Sequence, residues 1–126
     1  MISQYAKNKN KGYIVESGSN NNGSYIKYSD GTIIQTGIIT KNINISSKSS
    51  YSDVYYDDGY FINFPIPFLN TNYYTDVKAE SKDAVSLNVY SISDQTNEMC
   101  KFNLCSISTL NLSNFKFRWL AVGKWK

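Results

Sequence analysis

The chain has 126 residues and a formal net charge of +3, a size that fits one domain and excludes most multi-domain enzymes. Hydrophobic residues make up 41%, aromatics 15% and charged residues 18%, which is too apolar for disorder and enough for one modest core. Lys and Arg are scattered apart from a short run at each end, so there is no clustered basic face to neutralise several phosphates, and nucleic acid is not an expected partner. No apolar run approaches the ~20 residues of a membrane helix and the N-terminus lacks the apolar stretch of a signal peptide, so no membrane insertion is expected.

Met1 to Lys11 is polar, rich in Lys and Asn and without apolar periodicity, which reads as an arm or linker, with the domain proper running from Gly12 to Lys126. Tyr13-Ile14-Val15-Glu16 has strand character, and Ser17 to Ser24 reads as a loop by composition. Tyr25-Ile26-Lys27-Tyr28 and Thr32-Ile33-Ile34-Gln35-Thr36 flank Ser29-Asp30-Gly31, and Asp-Gly supplies the positive φ of a tight hairpin turn. Gly37 to Ile45 stays β-prone, whereas Ser46 to Gly59 is a long run of Ser, Tyr and Asp that reads as a loop with a function. Tyr60 to Phe64 is strand-like, and Pro65-Ile66-Pro67-Phe68 belongs at an edge or bulge, because two prolines limit ladder hydrogen bonds.

Tyr73 to Glu80 and Ala84 to Ile92 flank Ser81-Lys82-Asp83 and read as a second hairpin; Lys78-Ala79-Glu80 is the only stretch with helix propensity. In the second of these strands Val85, Leu87, Val89 and Ser91 are expected to share one face and Ser86, Asn88, Tyr90 and Ile92 the other. Cys100 to Ser108 is another strand. In the last one, Phe115, Phe117, Trp119 and Ala121 share one face, with Lys116 and Arg118 on the other. The fold class is therefore all-β: about eight strands with turn signals every 8 to 12 residues, arranged as a small antiparallel β-sandwich or barrel.

Without histidine there is no Ser-His-Asp or Cys-His constellation, and zinc loses one of its two usual ligand types. Cys100 and Cys105 on one strand would lie about 16 Å apart on opposite faces, so they read as two free thiols with at least one in the core. Asp57-Asp58 with Asp53 could in principle supply a glycosidase pair or calcium ligands, but the loop lacks a regular calcium spacing and adjacent carboxylates on it read as solvated. No metal, no cofactor and no catalytic residue is expected. Recognition fits better: flat amphipathic rings beside charged acceptors suit sugars, whose C–H faces stack while their hydroxyls bond to Asp, Asn and Ser. The competing reading has each tyrosine packing over the end of the sandwich or at a subunit contact.

The sequence resembles the C-terminal domain of bacteriophage tail fibres and related receptor-binding proteins. The resemblance rests on Ile14-Val15-Glu16-Ser17, on Asn22 to Gly37, on Phe64-Pro65-Ile66-Pro67-Phe68 with Asn70-Thr71-Asn72-Tyr73, and on Phe117 to Gly123, in that order. It differs from many relatives in Thr32-Ile33, where an aromatic often follows the turn, and in the extended loop after Ile45. The resemblance implies a small β-sandwich that assembles as a homotrimer at the distal tip of a virion fibre, preceded by a shaft, and attaches the particle to a bacterial surface glycan or other surface receptor. It implies no enzymatic activity. A structural trimerisation or capping module, and a surface-polysaccharide depolymerase or esterase, are the alternatives. The ligand contacts are expected at Tyr51, Tyr55, Tyr56, Asp57 and Asp58, and secondarily at Tyr73, Tyr74 and Trp125.

Overall fold

In a computed structural model describing residues 12–80 and 87–126, strand follows strand with no helix among the described residues. The strands are β1 (Ile14–Asn20), β2 (Gly23–Tyr28), β3 (Thr32–Ile45), β4 (Ser47–Lys48), β5 (Tyr55–Asn63), β6 (Tyr74–Glu80), β7 (Asn88–Ser93), β8 (Met99–Ser106) and β9 (Leu110–Lys124). They form a five-stranded sheet of order β1-β2-β3-β9-β6 and a four-stranded sheet of order β4-β5-β8-β7, antiparallel at every described pairing. The all-β sandwich expected from the sequence is the observed fold.

The Asp30-Gly31 turn forms as its residues dictate. Gly31 takes φ 93°, a conformation costly for other residues, and the Asp30 carboxylate accepts the Thr32 N–H at 2.8 Å. The C-terminus clasps this turn through the Trp125 N–H, donated to the Gly31 carbonyl at 2.9 Å. The long β3–β9 ladder is interrupted once. Lys41 pairs with Phe115 and Ile43 with Leu112, so Ser113 and Asn114 oppose Asn42 alone; Asn114 sits at φ 52° and donates its N–H to Asn42 Oδ1 at 2.9 Å.

The core lies between the sheets. Ile33, Phe117, Trp119 and Ala121 from one face meet Ile62, Phe102, Leu104 and Cys100 from the other, all at most 3% exposed. The expected inward set of the last strand, Phe115, Phe117, Trp119 and Ala121, is buried as a whole. Phe64, Phe68, Tyr73 and Trp119 close one part of the core as a ring cluster, Phe64 lying 4.8, 4.9 and 5.7 Å from the other three. Each such pair adds about 0.5–1.5 kcal/mol beyond area burial. The proline segment is neither an edge strand nor a bulge but a packed connection held by a buried side chain. Gln35 donates Nε2 to the Ile66 carbonyl at 2.8 Å and accepts the Ile66 N–H at Oε1 at 2.9 Å.

Three further expectations are corrected. Ser17 to Ser24 is not a loop: β1 and β2 run through it and turn at Asn21-Asn22, because an edge hairpin tolerates small polar side chains that face water. Tyr55 to Gly59 belongs to β5, so the connection after β4 is only residues 49–54. The described parts of the expected hairpin, Tyr73 to Glu80 and Ala84 to Ile92, do not pair with each other: β6 hydrogen-bonds to β9 and β7 to β8, in different sheets, and Ser81-Lys82-Asp83 with Ala84 to Ser86 lies outside the described residues. Lys78-Ala79-Glu80 is strand. The expectation for the arm, Met1 to Lys11, also lies outside the described residues.

Candidate functional site

The outer face of the four-stranded sheet is organised around a buried asparagine. Asn103 in β8 is 7% exposed although its side chain points away from the core, because both neighbouring strands bulge against it. In β5 the pairing jumps from Asp57–Leu104 to Tyr60–Phe102, so Asp58 and Gly59 oppose Asn103 alone. In β7 it jumps from Val89–Leu104 to Ser91–Asn103, which leaves Tyr90 as the inserted residue. Gly59 makes the first bulge possible at φ 90° and donates its N–H to Asn103 Oδ1 at 3.0 Å. Asn103 Nδ2 donates to Ser91 Oγ and Ser93 Oγ, each at 3.0 Å. One carboxamide thus ties three strands together.

The bulges project Asp58 and Tyr90 over β8, where the Tyr90 hydroxyl donates to Asp58 Oδ1 at 2.7 Å. Desolvation, with Asp58 as hydrogen-bond partner and negative neighbour, pushes the Tyr90 hydroxyl up to about 12. Tyr56 stands edge-on to Tyr90 with centroids 5.4 Å apart, and both rings remain open to solvent at 36% and 46% exposure. Further along the same face, Phe61 lies under the Lys101 ammonium at 5.1 Å, and Lys101 pairs with Asp94 at 3.1 Å. The result is a flat field of rings, carboxylates, hydroxyls and carboxamides on a rigid sheet. Such a surface stacks on apolar ring faces and hydrogen-bonds hydroxyls without ordering a loop first.

Of the residues singled out in the sequence, Tyr56 and Asp58 meet here; the others go elsewhere. Tyr55 packs partly into the core. Asp57 accepts a short hydrogen bond from Tyr60, whose ring stacks on Phe102 and whose hydroxyl is driven far above the usual tyrosine range by burial first and Asp57 second. Tyr51 is 97% exposed at the end of the β4–β5 hairpin, and Asp53 is paired with Lys48 at 2.7 Å. Among the described residues no group of three acidic, Cys or His side chains converges as metal ligands would, and Asp53, Asp57 and Asp58 do not come together.

Tyr73 is a correction: it is 8% exposed and donates its hydroxyl to the Thr96 and Met99 carbonyls, so it is a core residue with no ring face left for a ligand. Its neighbour Tyr74 is 67% exposed, but on the outer face of the other sheet. Trp125 is also structural in placement: its indole N–H is donated to the Tyr28 carbonyl at 2.9 Å, and the Lys27 and Lys126 ammonium groups each lie 5.1 Å from its ring. Sequence reasoning missed Tyr90 and Asn103. A tyrosine on the polar side of an otherwise small-residue strand was the available signal for Tyr90; nothing local marks Asn103. The thiols behave as expected: both are free, Cys100 in the core and Cys105 half-buried on the outer face, opposite Tyr56.

The described residues form a two-sheet antiparallel β-sandwich with a polar-aromatic outer face. Residues 27–124 match the family described as "Putative tail fiber protein gp53-like, C-terminal", and the chain belongs to that family of tail-fibre C-terminal domains, at the distal end of the fibre. Among solved structures it is similar to the R1 pyocin fibre of P. aeruginosa comprising C-terminal residues 323–701, at 19% identity and a TM-score of 0.55, over 86% of this chain and 28% of that one. It is also similar to an N-truncated R1-type pyocin tail fibre, at 18% identity and a TM-score of 0.56, over 98% of both chains. At these identities the likeness is one of fold. No curated protein sequence matches the chain.

Proposed function

We propose that this domain attaches its particle to a glycan on the bacterial surface, without enzymatic turnover, and that it works as a homotrimer. The observation that carries the reading is the Tyr56–Asp58–Tyr90 cluster. Two bulges and a buried carboxamide are spent on presenting two solvent-open rings and a carboxylate side by side, and bulges of this kind recur where a side chain must be re-aimed for function. Asp57 and Asp58, on which hydrolysis would have to rest, are engaged by different partners on different faces of β5, Tyr60 toward the core and Tyr90 toward solvent. That favours binding over depolymerisation.

Trimerisation is supported by the outer face of the five-stranded sheet. Ile26, Ile34, Val122 and Tyr74 are successive cross-strand neighbours in one row, with the exposed Leu120 beside it, so an apolar stripe crosses four strands outside the core. Three linked copies of a weak sugar site also gain avidity that one copy lacks. The test is adsorption of labelled domain to candidate host cells, with and without periodate oxidation of their glycans, alongside sedimentation equilibrium at micromolar concentration. Periodate-sensitive adsorption by a species of three chains is the expected result. A stable trimer that adsorbs to no host supports the capping module instead, and a monomer removes the avidity argument.

A further inference from the structure

A second surface lies along the uncovered edges of the two sheets. β2 pairs with β3 only over Ile33 to Thr36, so from Gly37 onward β3 has β9 on one side and no described strand on the other. β4 covers β5 only at Tyr55 and Tyr56, which leaves the stretch around Phe61 and Asn63 uncovered as well. The two open edges border a bent cleft. One arm, of about 500 Å³, runs past Ser24, Thr36 and Arg118; the other, of about 160 Å³, runs past Asn21, Asn22, Lys41, Phe61 and Asn63. Ile38 and Trp119 line both arms.

This cleft is built by two glycines that nothing else could replace. Gly23 takes φ 141°, and a Cβ there would sit 2.2 Å from the Thr36 carbonyl oxygen, so only glycine lets the β1–β2 turn close onto β3. A Cβ on Gly37 would sit 2.5 Å from Trp119 Nε1, so only glycine lets the indole reach the edge. The turn is then fixed: Asn20 Nδ2 donates to the Pro65 carbonyl at 3.0 Å and Asn20 Oδ1 accepts the Asn22 N–H at 2.9 Å, which sets the Asn21 and Asn22 side chains at the rim. Among the described residues no acceptor serves the Trp119 indole N–H, and Thr75 Oγ1 is the only described side-chain polar atom that is both enclosed and unpartnered, so the indole nitrogen opens into the cleft.

The polar side of the cleft is rich in donors. It offers the Trp119 N–H, three asparagine carboxamides, the Lys41 ammonium and the Arg118 guanidinium, and among the described residues no carboxylate lines either arm. Arg118 is held by Glu80, whereas Lys41 takes part in none of the described ion pairs. Phe61 and Ile38 supply apolar contact, at 48% and 52% exposure. We infer that this cleft binds an anion-bearing sugar unit, a uronate or a phosphorylated hexose, with the anion on Lys41 and the carboxamides and the sugar face on Phe61 and Ile38. The inference rests on the reading above for its premise of a glycan receptor, but does not use Tyr56, Asp58 or Tyr90; Phe61 is the residue the two surfaces share.

The test reads the cleft directly. In a ¹H–¹⁵N spectrum the two indole N–H signals are assigned with Trp125→Phe, and the domain is titrated with trigalacturonate, glucose 1-phosphate and maltotriose. The expected result is a saturable shift of the Trp119 signal by one or both anionic sugars, with the effective one identifying the anion. Maltotriose and the Lys41→Gln variant should each bind about tenfold more weakly, the size of one lost charge-assisted hydrogen bond. A Trp119 signal unmoved by either anionic sugar, moved equally by maltotriose, or indifferent to Lys41→Gln overturns the proposal. If it fails while cell adsorption still depends on Tyr56 and Tyr90, the cleft is refuted and the reading of the sheet face stands.

Discussion

Strands β8 and β9 are each central in their sheets, yet they are built differently. From Phe115 to Ala121, β9 alternates strictly, with Phe115, Phe117, Trp119 and Ala121 buried and Lys116, Arg118 and Leu120 exposed. β8 buries Phe102, Asn103 and Leu104 in succession, because its neighbours bulge over Asn103 from both sides. Over this stretch, beyond the bulge at Ser113-Asn114, a regular strand between regular neighbours yields packing. A strand between bulged neighbours gives up one ladder position on each side and gains two side chains, Asp58 and Tyr90, aimed where neither pleat would place them.

The comparison assigns stability chiefly to β9 and presentation chiefly to the strands around β8. Trp119→Ala should therefore be the most damaging single change, at about 3–5 kcal/mol in a denaturant titration, since the indole is 3% exposed and its removal leaves a cavity. A loss below about 1 kcal/mol would break the assignment. Asn103→Ala comes next, at about 1–3 kcal/mol, because the Gly59 N–H and the Ser91 and Ser93 hydroxyls lose their partner. It should also weaken cell adsorption by a domain that remains folded.

Smaller effects sharpen the contrast. In a spectrophotometric titration Tyr90 should ionise near 12, and Asp58→Asn should move it back toward the ordinary 10.0. The folded-state value is raised, so its contribution to stability is fully present below pH 10 and is lost as the pH rises through about 12. Native-state alkylation should modify Cys105 and spare Cys100, which is fully buried and whose thiol burial pushes up to about 11; unfolding should expose both. Equal native reactivity would mean that the two faces of β8 are not as distinct as described.

What was legible in the sequence is what alternation and turn chemistry encode. Asp30-Gly31 fixed the β2–β3 hairpin, the Phe115 to Ala121 pattern marked the inner face of β9, and the spacing of Cys100 and Cys105 put the thiols on opposite faces. Bulges were illegible because an inserted residue resets the parity. Val89 and Ile92 both pack on the core although they stand three apart, and only Tyr90, inserted between them, allows it. Tyr55 to Gly59 read as loop because the run of Ser, Tyr and Asp around it is polar, yet it is strand. Partner choice was illegible too. β6 and β7 look like two arms of a hairpin, and only the competing ladders of β9 and β8 separate them into different sheets. Of the candidate site, Tyr56 and Asp58 were found as residue types suited to sugars; Tyr90 and Asn103 acquire their roles only from register.

The most direct test of the account is adsorption of the Tyr56→Ala/Tyr90→Ala double variant to cells that bind the unaltered domain, with stability and solution mass measured on the same preparation. The account predicts at least about tenfold weaker adsorption, as for loss of a paired aromatic hot spot, by a domain that remains folded and of unchanged mass. A folded double variant that adsorbs as well as the original would show that the receptor is held elsewhere.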